Sequence, residues 1–281
     1  LFLMRDKLGE KPLYYYYDKT KNSFAFASEI KCLLQIEDYK KSINKDAMND
    51  YFTYRYTPGE ETLFSGIKKL LPANYLVFGK ELEIKKYWDF KFSYNNNSLE
   101  QNAQKIRTLL DDSVKARLMS DVPLGAYLSG GLDSSAIVAL MAKHTDNIKT
   151  FNVSFSNTKF DESKYAQIIA DKFNTDHTQI DIDIDAIKVL PQVVWHLDEP
   201  IADAATIPTF LMSKETKKKV TVILSGEGSD EIFGGYERFR HLKMAYNFRH
   251  LPKIFRNIPK AFQNENDKTG YRGINLLANL H

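Results

Sequence analysis

Two short stretches hold most of the side chains that could do chemistry. The first reads Leu128-Ser129-Gly130-Gly131-Leu132-Asp133-Ser134-Ser135, and an apolar run from Leu124 to Leu128 leads into it. Two adjacent glycines let the backbone turn sharply and bring N–H groups close to a ligand. A helical pattern over 134–144, carrying Ile137, Val138, Leu140 and Met141, follows at once. Its N-terminus would point unpaired N–H groups and partial positive charge at the same spot. With the hydroxyls of Ser129, Ser134 and Ser135, this is an anion cradle. No Gly-Lys-Ser/Thr follows, so it is not the usual nucleotide P-loop, and the glycine spacing is wrong for a dinucleotide fingerprint. Asp133 places a carboxylate beside the anion, which is repulsive unless a divalent cation lies between, and Mg²⁺ is the expected ion. The plainer alternative is a Gly-Gly turn capped by Asp and Ser.

The second stretch, from Ser225 through Gly226, Glu227, Gly228, Ser229, Asp230 and Glu231 to Gly234-Gly235-Tyr236, follows the apolar run Val220 to Leu224. Glu227, Asp230 and Glu231 crowd three carboxylates together, and without a cation or a basic ligand they would repel one another. An acidic helix start, favoured by the helix dipole, is the alternative.

Elements must bring these stretches together. Beyond residue 98, helical patterns (Ile106, Leu109, Leu110, Val114, Leu118; then 134–144, 162–173 and one ending near Trp195) alternate with apolar strands at 124–128, 150–155, 178–182 and 220–224. That alternation predicts a doubly wound parallel α/β sheet covered on both faces, with ligands at the carboxyl ends of its strands. The first third is different. Leu13 to Tyr17 and Ser23 to Ala27 read as a hairpin, and the four consecutive tyrosines as strand packing rather than a platform for bases. Ser28 reads as the cap of a short helix, with Cys32 a buried structural thiol among its apolar residues. A second capped helix covers 44–52, and strands cover 75–78 and 82–88. The polar run Phe92-Ser93-Tyr94-Asn95-Asn96-Asn97-Ser98 marks a boundary, dividing the chain into 1–92 and 98–281.

Composition narrows the classes further. Thirty-nine basic against 36 acidic residues leave a net charge of +3, which gives no case for a nucleic-acid or membrane partner. No apolar run approaches ~20 residues, as a membrane span would require. One cysteine suits a reducing, cytoplasmic setting, and the six histidines lack zinc spacing. Lys217-Lys218-Lys219 reads as a solvated helix end.

Taken together and in this order, the two stretches resemble the synthetase domain of glutamine-dependent asparagine synthetases, one of the PP-loop ATP pyrophosphatases with an adenine nucleotide α-hydrolase-like fold. Asp198-Glu199-Pro200 with Asp203, and Pro58-Gly59-Glu60-Glu61-Thr62-Leu63-Phe64, carry the same resemblance. Arg5-Asp6, Lys11-Pro12-Leu13-Tyr14 and Phe26 to Lys31 are similar to the closing, mostly β part of the family's N-terminal nucleophile glutaminase domain. The resemblance implies that ATP activates an aspartate side chain as an adenylate, which ammonia drawn from glutamine converts to asparagine. It implies pyrophosphate binding at Ser129, Gly130, Gly131, Ser134 and Ser135, and Mg²⁺ at Asp133 and Asp230. It implies nucleotide contacts at Leu128, Val153, Ser225 and Gly226, and a role for Glu227 in orienting the intermediate or the ammonia. The expected partners are ATP, aspartate and glutamine-derived ammonia, with a homodimer the candidate assembly. A relative amidating another carboxylate, or a non-catalytic nucleotide binder, stays open. Residue 1 is Leu where the family's glutaminase has its nucleophilic cysteine, so that segment is expected upstream. Nothing from His241 to His281 matches the family's lysine-bearing C-terminal region. The chain as given is expected to bind nucleotide but neither to hydrolyse glutamine nor to turn over well.

Overall fold

A computed structural model describes residues 1–154, 161–181 and 186–249. The expected strand ends at Phe155 and Ile182, and the stretch 250–281, lie outside the described residues.

The first third forms two antiparallel sheets. One contains β1 (Phe2–Met4), β5 (Asn74–Phe78) and β6 (Leu82–Lys86) in the order β1-β5-β6. The other contains β2 (Tyr14–Asp18), β3 (Ser23–Ala27) and β4 (Ile67–Lys69) in the order β3-β2-β4. The tyrosine run is structural. Side chains alternate along β2, so Tyr15 packs with Leu3, Leu70 and Leu76 while Tyr14 and Tyr16 pack with Ile30, Leu33 and Ile67 on the other face. Arg5 is also structural: its guanidinium donates to the carbonyls of Lys11 at 2.8 Å and Leu70 at 2.7 Å, pinning the turn between β1 and β2.

Two helices lie between these strands: α1 (Ile30–Leu33) and α2 (Lys45–Tyr54). Asn44 caps α2 by accepting from the N–H groups of Asp46 and Ala47. Ser28 does not cap α1. The residue at the cap position is Glu29, whose side chain makes no capping bond, and the first N–H groups of α1 are taken by Asp198 from far along the chain. Cys32 is exposed, not buried, because Ile30 and Leu33 take the inward face of this single turn.

Residues 87–98 form neither helix nor strand, and Ser98 with Gln101 then closes a capping box on α3 (Leu99–Arg117). The remaining elements alternate: β7 (Leu124–Tyr127), α4 (Leu132–Met141), β8 (Lys149–Ser154), α5 (Ser163–Lys172), β9 (Asp176–Asp181), α6 (Ala186–Leu197), α7 (Thr206–Thr216), β10 (Val222–Leu224), α8 (Ser229–Phe233) and α9 (Glu237–Arg249). The four strands form a wholly parallel sheet in the order β10-β7-β8-β9. On one face Ala126 and Leu128 bury against Val138 and Met141 of α4, Ala166 and Ala170 of α5 and Val114 of α3. On the other, the Tyr127 hydroxyl bonds the Ser213 hydroxyl of α7 at 3.0 Å. Helices therefore cover both faces, as the sequence pattern implies.

The chain runs outward from β7 through β8 to β9, then crosses back to add β10 on the far side of β7. Between β7 and β10 the strand order reverses, and the crevice beyond such a reversal is where open α/β sheets bind ligands.

His177 of β9 is half-buried and its Nδ1 lies 2.8 Å from the Thr150 hydroxyl. Burial pushes its pKa below the ordinary 6.5. The unfolded chain therefore takes up the proton first, and stability is lost as pH falls below 6.5. Chemical denaturation at pH 7.5 and 5.5 should show this loss, with His177→Gln reducing it.

Candidate functional site

The turn between β7 and α4 is built from its own hydroxyls. The Ser134 hydroxyl accepts the Ser129 N–H at 3.2 Å and lies 2.9 Å from the Ser129 hydroxyl, which in turn accepts the Gly131 N–H at 3.2 Å. These bonds hold the turn in one shape without a ligand. Gly130 has φ +81°, and a β-carbon there would stand 2.4 Å from the Tyr165 carbonyl carbon, so only glycine lets α5 close over the turn. Gly131 is the N-cap of α4 and has no side chain to satisfy the first turn, leaving the helix N-terminus open to an outside acceptor. The helix starts at Leu132, so Asp133 and Ser134 lie in its first turn.

The turn after β10 leads into α8, with Gly228 at the N-cap and φ +92°. Asp230 and Glu231 occupy the first turn of α8, so the acidic helix start weighed as an alternative is present. Like-charge crowding is relieved partly within the protein: the Tyr236 hydroxyl donates to Glu231 at 2.6 Å. That bond holds the Glu231 carboxyl below its ordinary range and the Tyr236 phenol above its own.

The two turns touch. A β-carbon on Gly226 would stand 2.9 Å from Asp133 Cβ and 3.0 Å from the Ser134 nitrogen. Gly235 lies against Asp230 of its own turn, where a β-carbon would press on the carboxyl group. Together the turns line one cavity of about 290 Å³.

Of the residues singled out from sequence, Ser129, Asp133, Ser134, Ser225, Gly226, Glu227 and Asp230 line this cavity. Gly130, Gly131, Ser135, Leu128 and Val153 do not line it. Leu128 is 1% exposed and its side chain belongs to the core, so only its backbone is placed to meet a ligand. The Ser135 hydroxyl is buried and has no hydrogen-bond partner among the described residues. Sequence reasoning missed Tyr127 and Met212, which also line the cavity. Strand alternation opposite Leu128 was a signal for Tyr127. Met212 carried none, because it arrives on α7 from 84 positions beyond Leu128 only through the crossover.

The cavity suits a polyanion with a bound cation. Mg²⁺ keeps several waters and takes one or two carboxylates plus phosphate oxygens. Asp133 and Asp230 put two carboxylates on one cavity beside a helix N-terminus. Among the described residues no group of three His, Cys, Asp or Glu forms a metal cage.

Fold and cavity thus define a doubly wound α/β protein with a glycine- and serine-rich turn, opening on a cavity, at its strand reversal. Its residues 105–279 match the asparagine synthase family and residues 1–88 match a glutamine amidotransferase domain. The chain belongs to the asparagine synthase family. It is 38% identical to a putative glutamine-hydrolysing asparagine synthetase 2 of Methanocaldococcus jannaschii, over 99% of this chain and 55% of that protein. It is 35% identical to glutamine-hydrolysing asparagine synthetase 1 of Bacillus subtilis, over 90% of this chain and 40% of that one. The chain therefore spans about half the length of the curated relatives it matches. An NH3-dependent NAD synthetase structure from Campylobacter jejuni is similar at a TM-score of 0.33 and 15% identity, over 47% of this chain and 60% of that one, too slight to bear on the fold.

Gly226→Ala should destabilise by about 1–3 kcal/mol, because its neighbours are backbone and a Cβ that cannot swing away. Gly79→Ala, with nothing within 4 Å, should stay within about 0.5 kcal/mol. Urea denaturation of both variants checks the contrast.

Proposed function

We propose that the protein of which this chain is part makes asparagine from aspartate, ATP and glutamine-derived ammonia. The supporting observation is that both strand-end turns, with Asp133 and Asp230, line a single cavity at the strand reversal. Residues 98–281 are assigned to the synthetase domain and 1–92 to the closing part of the glutaminase domain and its connection. As an enzyme of small-molecule substrates, it is assigned to the cytoplasm.

In this reading the open N-terminus of α4, with Gly130, Gly131 and the hydroxyls of Ser129 and Ser134, grips the β- and γ-phosphates of ATP as one unit, while the Ser135 hydroxyl, buried away from the cavity, takes no part. Leu128, Val153, Ser225 and Gly226 meet the nucleoside and α-phosphate. Asp133 and Asp230 would hold Mg²⁺, which when bound would supply positive charge beside the phosphates. The aspartate carboxylate attacks the α-phosphorus, the bond to the bridging oxygen breaks, and pyrophosphate departs. Ammonia then attacks the activated carbonyl, a proton is lost, and AMP leaves. Glu227, on the same cavity, orients the ammonia or the intermediate.

Asp133→Asn and Asp230→Asn in the whole protein should abolish Mg²⁺-dependent ATP binding, measured by calorimetry, while Cys32→Ser leaves it intact. Unchanged Mg·ATP binding in Asp133→Asn would remove the metal assignment. With aspartate and ammonia present, ATP should yield AMP and pyrophosphate. ADP and phosphate would instead show attack at the γ-phosphorus and end the adenylation reading.

A further inference from the structure

Asp198 and Glu199 stand out in the sequence, yet neither lines the cavity. Both carboxylates are buried, with side chains 5% and 9% exposed, and both reach residues of the strand-rich first third. Asp198 accepts the N–H groups of Ile30 at 2.6 Å and Lys31 at 3.3 Å, and pairs with the Lys31 ammonium at 2.8 Å. It supplies from 168 positions away the cap that α1 lacks locally. Glu199 accepts the Leu63 N–H at 2.5 Å and the Thr57 hydroxyl at 3.1 Å, and lies 3.5 Å from the Lys69 ammonium. The Ala202 N–H then donates to the Arg55 carbonyl at 2.9 Å.

The backbone is shaped for this task. Asp198 sits at φ +65°, a left-handed conformation that Asp tolerates better than most residues. Burial pushes the Lys69 ammonium down from its ordinary range, and Glu199 opposes that fall. A buried ion pair contributes little net stability compared with an apolar contact of the same size. What carboxylates aimed at backbone N–H groups add is direction, because such bonds weaken steeply when either partner turns.

Past this node the chain enters α7 directly, and Asp203 shapes its start by accepting the Ala205 N–H at 2.8 Å. Met212 of α7 lines the cavity, and Ser213 of α7 holds the hydroxyl of Tyr127, another lining residue, at 3.0 Å. One end of α7 is thus anchored to the first third of the chain, and its middle forms a wall of the site.

We propose that Asp198 and Glu199 are positioning residues for the cavity: by gripping α1 and the segment 57–69, they set where α7 places Met212 and where its Ser213 holds the Tyr127 hydroxyl. The nucleotide readout below rests on the reading of the cavity as an ATP site; the structural readout does not.

The test uses the whole protein with Glu199→Gln and Asp198→Asn, which keep shape and one acceptor oxygen. Tyr39→Phe is the control, since it removes a bond from Tyr39 to the Ser65 carbonyl wholly inside the first third. Amide exchange across 206–216 should accelerate in the two carboxamide variants and not in the control. The Mg·ATP dissociation constant should rise about fivefold to tenfold in them, again not in the control. Thr57→Val, which removes one donor to Glu199 and one acceptor of the Lys69 ammonium, should move both readouts less and in the same direction, and serves if the carboxamide variants do not fold. Faster exchange at Ile30 and Leu63 with unchanged exchange across 206–216 would overturn the proposal, leaving a joint and no positioning. Wild-type protein that fails to bind Mg·ATP would refute the functional reading, and exchange across 206–216 would then decide the positioning by itself.

Discussion

Backbone contact between two turns organises the α/β part of the chain. Gly226 lies against Asp133 and Ser134 so closely that a single methyl group would part them. That closeness is available only where β7 and β10 are neighbours, and they are neighbours because the chain crosses back over β7 after β9. The strand order, the crossover through α6 and α7, and the glycine at 226 are one constraint seen at three scales. Through that constraint Asp133 and Asp230 come to line one cavity.

Preorganisation is visible within each turn. Ser129, Gly131 and Ser134 bond to one another, and Tyr236 bonds Glu231, so these groups hold one another in position. A site that is already rigid spends less of its binding energy on ordering itself. Asp133 and Asp230 sit on separate helical first turns, which fixes their backbones while leaving the carboxylates turned to the same space.

The first third contributes differently. Its two small sheets bury modest cores, one around Leu3 and Leu76 and the other around Ile30 and Ile67, with β2 packed between them. Sequence patterns read this correctly where the signal was local: the tyrosine strand, the Asn44 cap and the hairpin are each set by residues a few positions apart. They failed at Ser28 and Cys32. The cap of α1 comes from Asp198, and one turn of helix has only one inward face, so Cys32 was left outside. Neither outcome is encoded near residue 30.

Taken alone, the sequence determined the alternation of strands and helices, the sharp turns at Gly130 and Gly226, and the carboxylates that follow them, because periodicity, backbone freedom and charge are local properties. Only the tertiary structure decided which groups meet. Met212 joined the cavity, Leu128 and Val153 did not line it, and Asp198 and Glu199 turned to the strand-rich first third. Those pairings depend on strand order and on bonds spanning more than 130 positions, and no local pattern carries information over that distance.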